Sequence, residues 1–247
     1  WGGRRREYPA LKFLIYTFVG SLIMLVGIVT LYLSTGVNNF GIPEIAQAAQ
    51  GLPANIQLWV LAAFLIGFGV KVPIFPFHTW LPDAHVEAPT PISAILAAVL
   101  LKLGTYALVR IAMPTVPEVW ESVAWLLALI GVINILYGGL AALVQKDMKK
   151  LVAYSSINHM GYVILALAAN SAMTINAAVF QMISHGLISA MLFLLVGVFY
   201  DRTHTREMSR LGGFAVVTPV AATFLYLAAF ANLGLPGMSG FIAVFFT

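Results

Sequence analysis

The 247-residue sequence contains no cysteine and few charged residues. The absence of cysteine excludes a disulfide framework, thiolate metal sites and iron–sulfur ligation on this chain. Only 9% of the residues are charged and 61% are hydrophobic, which leaves too little polar surface to face water. P-loop, HExxH and nucleophile-elbow motifs are missing, and Gly67 and Gly69 form only an isolated GxG pair. The composition therefore indicates a multi-pass membrane protein and gives no support to soluble-type enzymology.

Apolar runs of about 20 residues, the length that crosses a bilayer, can be placed seven times along the chain. No separate soluble domain fits between them, so residues 1–247 are expected to form one all-α transmembrane domain. The predicted passes are 13–33, 56–81, 92–113, 123–145, 151–169, 175–200 and 214–247.

Basic residues occur in alternate loops of this arrangement. They cluster before the first pass, between the fourth and fifth passes, and between the sixth and seventh. Because Lys and Arg accumulate in cytoplasmic loops, these three clusters and Trp1 are predicted to be cytoplasmic. The loop around Asp83–Glu87 should lie on the same side, although it lacks Lys and Arg. The basic residues concerned are Arg4, Arg5, Arg6, Lys12, Lys146, Lys149, Lys150, Arg202, Arg206 and Arg210.

Helix-breaking residues interrupt two of the predicted passes. The second pass contains Lys71-Val-Pro73, and the seventh contains Gly234-Leu-Pro236. The two breaks lie five passes apart, and an odd number of crossings inverts the second copy of a repeat. Paired broken helices in inverted repeats are typical of transporters whose ion path runs at the breaks. The sequence thus predicts a transmembrane helix bundle with inverted five-helix repeats and two broken helices.

Two lysines lie deep inside predicted passes, where a charge costs about 2.5 to 3.5 kcal/mol on insertion scales. Lys71 directly precedes the first break, whose prolines free backbone carbonyls that can contact water. Its alternative role is a side chain that extends to the membrane surface. Lys102 lies ten residues after Ile92 and eleven before Met113, too far from either surface for that alternative. Both lysines are therefore predicted to be protonatable relay groups at similar depth.

Two histidines lie inside the fifth and sixth passes. Imidazole both donates and accepts protons near neutral pH, which suits a relay, so His159 and His185 are predicted members of it. Their alternative role is a hydrogen bond between helices. Nearby polar residues extend the pattern into a predicted polar thread: Ser155, Ser156, Asn158, Gln181 and Ser184.

A second polar cluster contains His78, Asp83, His85 and Glu87. The spacing matches no standard ligand pattern, so no metal site is predicted. These side chains are expected instead to cap the second half of the broken helix and the start of the third pass.

Seven segments carry a family resemblance: Lys71-Val-Pro-Ile-Phe-Pro-Phe-His-Thr-Trp-Leu-Pro-Asp-Ala-His85, Glu87-Ala-Pro-Thr-Pro91, Leu100-Leu-Lys-Leu-Gly-Thr-Tyr106, Ala153-Tyr-Ser-Ser-Ile-Asn-His-Met-Gly161, Ser184-His-Gly186, Tyr200-Asp-Arg-Thr-His-Thr205 and Leu235-Pro-Gly-Met-Ser-Gly-Phe241. Together they closely resemble the antiporter-like subunits of respiratory complex I over essentially the whole chain.

The resemblance implies a proton-translocating subunit in a bacterial plasma membrane or a thylakoid membrane. It places the family's intramembrane lysines on Lys71 and Lys102, and its central histidines on His159 and His185. NADH or ferredoxin, iron–sulfur clusters and quinone would belong to partner subunits, so no cofactor is expected on this chain. Other membrane-arm subunits, including neighbouring antiporter-like subunits, and lipid are the expected partners; nucleic acid is not.

The resemblance also implies that this sequence is the middle of a longer fold of about fourteen helices with two inverted repeats. The carboxylate that pairs with the first lysine would then lie upstream of Trp1. Val244 stands where one branch of the family has glutamate after Phe-Ile-Ala. Two alternatives to a complex I subunit remain: a subunit of a multisubunit cation/proton antiporter, and a structural component of the membrane arm that does not pump.

Overall fold

The computed structural model describes residues 2–3 and 5–247. Trp1 and Arg4 lie outside the described residues, so the prediction of a cytoplasmic Trp1 is not addressed. The described chain is helical and contains no β-strand, only one isolated bridge between Asp147 and Glu207. The helices are α1 (Glu7–Thr35), α2 (Ile42–Ala49), α3 (Ala54–Lys71), α4 (Trp80–Glu87), α5 (Thr90–Thr115), α6 (Pro117–Ser122), α7 (Ala124–Leu143), α8 (Met148–Ala169), α9 (Ala172–Thr203), α10 (Phe214–Val217), α11 (Pro219–Leu233) and α12 (Ser239–Phe245).

In the part of the chain that the structure describes, six helices are long and apolar enough to cross a membrane: α1, α3, α5, α7, α8 and α9. Helices α1 and α7 turn many large apolar side chains outward, whereas α8 and α9 are the most buried and carry the interior polar groups. An apolar surface of this extent suits lipid or a neighbouring protein and not water. The chain is therefore an integral, multi-pass membrane protein.

Helices α7 and α8 form a tightly packed antiparallel pair. A Cβ atom added to Gly138 would lie 2.6 Å from the backbone nitrogen of Asn158, and one added to Gly161 would lie 2.8 Å from the carbonyl oxygen of Gly131. Small residues let transmembrane helices approach to backbone contact. This pairing fixes the face of α8 that points toward α9.

The predicted second pass consists of two helices. Helix α3 ends at Lys71, ten residues before the predicted end of the pass, and α4 begins only at Trp80. Pro73 and Pro76 interrupt the helix because they have no N–H group to continue its hydrogen bonds. The amide of Asn134 on α7 bridges the gap: its Oδ1 accepts from the N–H of Phe75 at 2.7 Å, and its Nδ2 donates to the carbonyl of Pro73 at 3.4 Å.

The predicted seventh pass is divided as well. The short helix α10 precedes α11, which ends at Leu233; Gly234 then adopts φ 69°, and α12 begins at Ser239. The predicted all-α transmembrane bundle with two broken helices is confirmed. If each pass crosses the membrane, α3 and α11 run in opposite directions, as an inverted repeat requires.

Candidate functional site

Lys102 lies on α5 immediately after a wide helical turn, Leu96–Leu100, that has π geometry. Such a turn disturbs the regular ladder of backbone hydrogen bonds and leaves carbonyls available to side chains. The Nζ atom of Lys102 donates to the carbonyl of Ala97 at 2.6 Å and lies 2.7 Å from Nδ1 of His185 on α9. The structure therefore joins a predicted lysine directly to a predicted histidine.

His185 is held from its other side by α8. Its Nε2 atom lies 3.2 Å from the hydroxyl of Ser156, which itself donates to the carbonyl of Val152 at 3.1 Å. Because the serine proton points at Val152, the serine oxygen accepts from Nε2–H of His185. That assignment leaves Nδ1 as the acceptor for the Lys102 ammonium, so the three groups form a directed chain.

His159 lies next to this chain on α8. Its ring centroid is 5.3 Å from that of His185, and its Nδ1 lies 3.1 Å from the amide Nε2 of Gln181 on α9. Since the glutamine amide nitrogen can only donate, Nδ1 of His159 accepts. The same imidazole lies beside Asn232 at the end of α11, directly before the second break. His159 thus connects α8 and α9 with the second broken helix.

Lys71 is not part of this hydrogen-bonded group. It is half-buried at the end of α3 and has no hydrogen bond or ion pair among the described residues. A Cβ atom added to Gly104 would lie 3.1 Å from Cβ of Lys71, so Lys71 packs against α5 within a turn of Lys102. The two lysines are neighbours on adjacent helices without a direct contact that links their ammonium groups.

The predicted polar thread is only partly continuous. Ser184 donates to the hydroxyl of Ser239 at 2.8 Å and so ties α9 to α12 after the second break. Asn158 turns away from the histidines and donates to the carbonyl of Ile135 on α7 at 2.6 Å. Ser155 bonds only to the carbonyl of Val152, at 2.9 Å. The Asn158 bond joins α8 to α7 and the Ser155 bond stays within α8, so neither continues the polar thread to the histidines.

The prediction that these four side chains cap the helices is wrong. Asp83 forms an ion pair with Lys12 at 2.7 Å, and the N-termini of α4 and α5 have no side-chain cap. The carbonyls at the end of α4 are bound from elsewhere: Arg206 donates to Val86 at 2.6 Å and Lys149 to Ala88 at 2.8 Å. Basic side chains from other elements therefore bind the carbonyls that the predicted local caps would have left free.

The two histidines of that cluster, His78 and His85, are buried, and none of their ring nitrogens has a hydrogen-bond partner among the described residues. His78 stacks on Phe75 in the break and meets the ring of Tyr137 on α7 edge-on at 4.8 Å. Within residues 2–3 and 5–247, no three His, Asp or Glu side chains converge to hold a metal ion.

Sequence reasoning missed two residues that shape the site. Asn134 was treated as part of an apolar pass, although an isolated asparagine there was a usable signal. Gly186 makes room for Lys102: a Cβ atom added there would lie 3.2 Å from the carbonyl of Ala98 and 3.6 Å from Cε of Lys102. Lys102 also reaches a cleft of about 540 Å³ between α5 and α9, whose other lining residues are almost all apolar.

Broken helices and buried ionisable side chains inside an apolar bundle are typical of one class of protein, the ion-translocating membrane subunits. The comparison with known families agrees. The chain belongs to the family described as NADH:quinone oxidoreductase/Mrp antiporter, transmembrane, which matches residues 1–247.

Similar proteins narrow the resemblance to one subunit. The chain is 46% identical over 245 residues to NADH-quinone oxidoreductase subunit M of Rickettsia bellii, covering 99% of this chain and 49% of that protein. It is 48% identical over 242 residues to NAD(P)H-quinone oxidoreductase chain 4 1 of a Synechococcus species, covering 98% and 46%. A chain of respiratory complex I from Thermus thermophilus with bound NADH superposes with a TM-score of 0.94 at 33% identity, covering 99% and 52%. The chain spans about half the length of the curated relatives it matches.

Proposed function

We propose that this chain forms part of a proton-translocating membrane subunit of a complex I type NAD(P)H- or ferredoxin-quinone oxidoreductase. The observation that carries the proposal is the directed chain from Lys102 through His185 to Ser156, with His159 beside it, inside an otherwise apolar bundle. An ammonium group bonded to an imidazole can pass a proton along the bond, and the second imidazole continues the path toward the second break.

In this proposal the relay consists of Lys71, Lys102, His159, His185 and water. Lys71 joins through water beside the first break, where its ammonium group has no protein partner among the described residues. The chain performs no redox chemistry itself. Oxidation of NADH or ferredoxin, the iron–sulfur clusters and quinone reduction are assigned to partner subunits, and neighbouring membrane-arm subunits and lipid to its surroundings.

The test is Lys102→Ala in the full-length subunit within the assembled complex. We expect proton translocation to fall at least about tenfold, since one relay group normally contributes that much or more. The peripheral part of the complex should still oxidise its electron donor. Lys146→Ala is the matched control, because Lys146 is an exposed lysine in the loop between α7 and α8. Normal translocation with Lys102→Ala would assign the chain to the non-pumping structural class.

A subunit of a multisubunit cation/proton antiporter is the second candidate, because the family description covers Mrp antiporters as well. The purified complex separates the two. Co-purifying iron–sulfur subunits support the oxidoreductase, whereas small membrane partners alone, with sodium-dependent proton exchange in vesicles, support the antiporter.

A further inference from the structure

His85 is the most deeply buried ionisable side chain that the proposed relay does not use. It is 0% exposed, and neither ring nitrogen has a hydrogen-bond partner among the described residues. One face of the ring stacks on Phe193 of α9, with centroids 4.4 Å apart. Buried polar atoms are nearly always paired with protein or with ordered water, so two free nitrogens on one ring point to water at this position.

On one side, His85 lies close to Lys102. The hydroxyl of Ser93 on α5 donates to the carbonyl of His85 at 3.1 Å. Ser93 precedes Ala97 by four residues, a rise of about 6 Å along the helix, and the carbonyl of Ala97 accepts from Lys102. The small side chains of Ala94 and Ala97 lie in this region and pack in one cluster with Phe193. His85 and the ammonium group of Lys102 therefore contact α5 about one turn apart, and water between them would complete a proton path.

On the other side, His85 lies beneath the basic face of the bundle, the face that is predicted to be cytoplasmic. A cleft of about 370 Å³ opens there, and its charged lining residues are Glu87, Lys149, Asp201 and Arg206. Lys149, which lines this cleft, donates to the carbonyl of Ala88, three residues after His85. The imidazole is within electrostatic range of both Lys149 and Lys102. His85 thus lies between a water-accessible, charged cleft and the central lysine.

We propose that His85 is a further relay residue, which links this cleft to Lys102 by a proton-uptake branch that does not pass through Lys71. A hydronium ion on the cleft side gives its extra proton to the unprotonated ring nitrogen, and the opposite N–H releases its proton to a water that leads to Lys102. The ring is left as its other tautomer, and a rotation of the side chain turns the unprotonated nitrogen back to the cleft side before the next proton arrives. This inference rests on the proposed function of the chain.

The test compares two substitutions in the full-length subunit of the assembled complex. His85→Phe keeps an aromatic ring against Phe193 and removes both nitrogens, whereas His85→Gln keeps a donor and an acceptor for water. We expect His85→Phe to lower proton translocation at least about tenfold and His85→Gln to recover a large part of it. Phe193→Leu is the packing control, since it removes the stacked ring but leaves both nitrogens in place; it should pump normally.

Several outcomes overturn the inference. Wild-type translocation with His85→Phe, or equal losses with Phe193→Leu and His85→Phe, would show that the imidazole serves packing only. His85→Leu is the second apolar variant in case phenylalanine prevents assembly. If only the glutamine variant assembles, His85 has a folding role and the inference is wrong. Normal translocation with Lys102→Ala would instead reject the proposed function itself, so the two failures are distinguishable.

Discussion

At the scale of single residues, the orientation of one imidazole determines what the site can do. Ser156 donates its only proton to Val152 and therefore fixes the proton of His185 on Nε2. The opposite nitrogen is then free to accept from Lys102. The other tautomer would present Nδ1–H to an ammonium group, and a ring turned by half a revolution would present a C–H; either would break the chain.

Ser156→Ala tests this orientation. Loss of the hydroxyl removes the acceptor for Nε2–H, so the ring can flip away from Lys102. We expect a severalfold loss of proton translocation, about threefold to tenfold, measured per donor molecule oxidised in vesicles that contain the complex. Ser156→Thr should retain most of the activity because it keeps the hydroxyl.

Ser155→Ala is the control for that measurement. Ser155 bonds to the same carbonyl of Val152 but has no hydrogen bond to either histidine among the described residues. It should therefore leave translocation unchanged. Equal effects of the two alanine substitutions would mean that the serines act only on the backbone of α8.

The lysines and histidines could be identified from sequence because charge is rare inside an apolar run. Which of them touch could not be identified, since that depends on the rotation of α5 against α9 and on the room left by Gly186. The sequence assigned both lysines to the relay and left a surface role open for Lys71 alone; in the structure, Lys102 contacts a histidine, whereas Lys71 has no hydrogen bond among the described residues. The π turn before Lys102 supplies a carbonyl partner that no pattern of residues predicted.

At the scale of elements, the first broken helix depends on a side chain from a different helix. The chain between α3 and α4 leaves backbone groups without helical partners, and Asn134 of α7 bonds to two of them. Asn134 is fully buried. Prolines in the sequence predicted where the helix breaks, but not which neighbour holds the break together.

Asn134→Ala should therefore destabilise this region. The N–H of Phe75 and the carbonyl of Pro73 would be left unpaired in an apolar bundle, which costs about 1–3 kcal/mol for each unsatisfied group. The expected result is a lower apparent Tm of the purified complex and less assembled complex in the membrane. Leu136→Ala is the comparison, because Leu136 lies on the same helix and is exposed. A comparable loss in both variants would argue against a specific role of the amide.

At the scale of the whole molecule, the basic face is held together across distant parts of the chain. Lys12 of α1 pairs with Asp83 of α4, and Arg206 pairs with Asp147 at 3.3 Å while it also bonds to the end of α4. This arrangement explains why the loop around Asp83–Glu87 has no basic residue of its own. Asp83 and the carbonyls at the end of α4 are bound by basic side chains from other elements, so the rule that counts charge loop by loop missed the balance.

The orientation of the whole molecule can be tested because the chain contains no cysteine. A single cysteine introduced at an exposed position then reports the side from which a membrane-impermeant thiol reagent reaches it. Lys146→Cys and Arg202→Cys lie on the basic face and should react from the cytoplasmic side, since positively charged loops stay there. Glu118→Cys lies in the exposed part of α6 at the opposite end and should react only from the other side. The unsubstituted complex corrects for thiols elsewhere in the assembly. Reaction of positions 146 and 118 from the same side would invalidate the membrane topology, and with it the position of the cleft above His85 as a cytoplasmic source of protons.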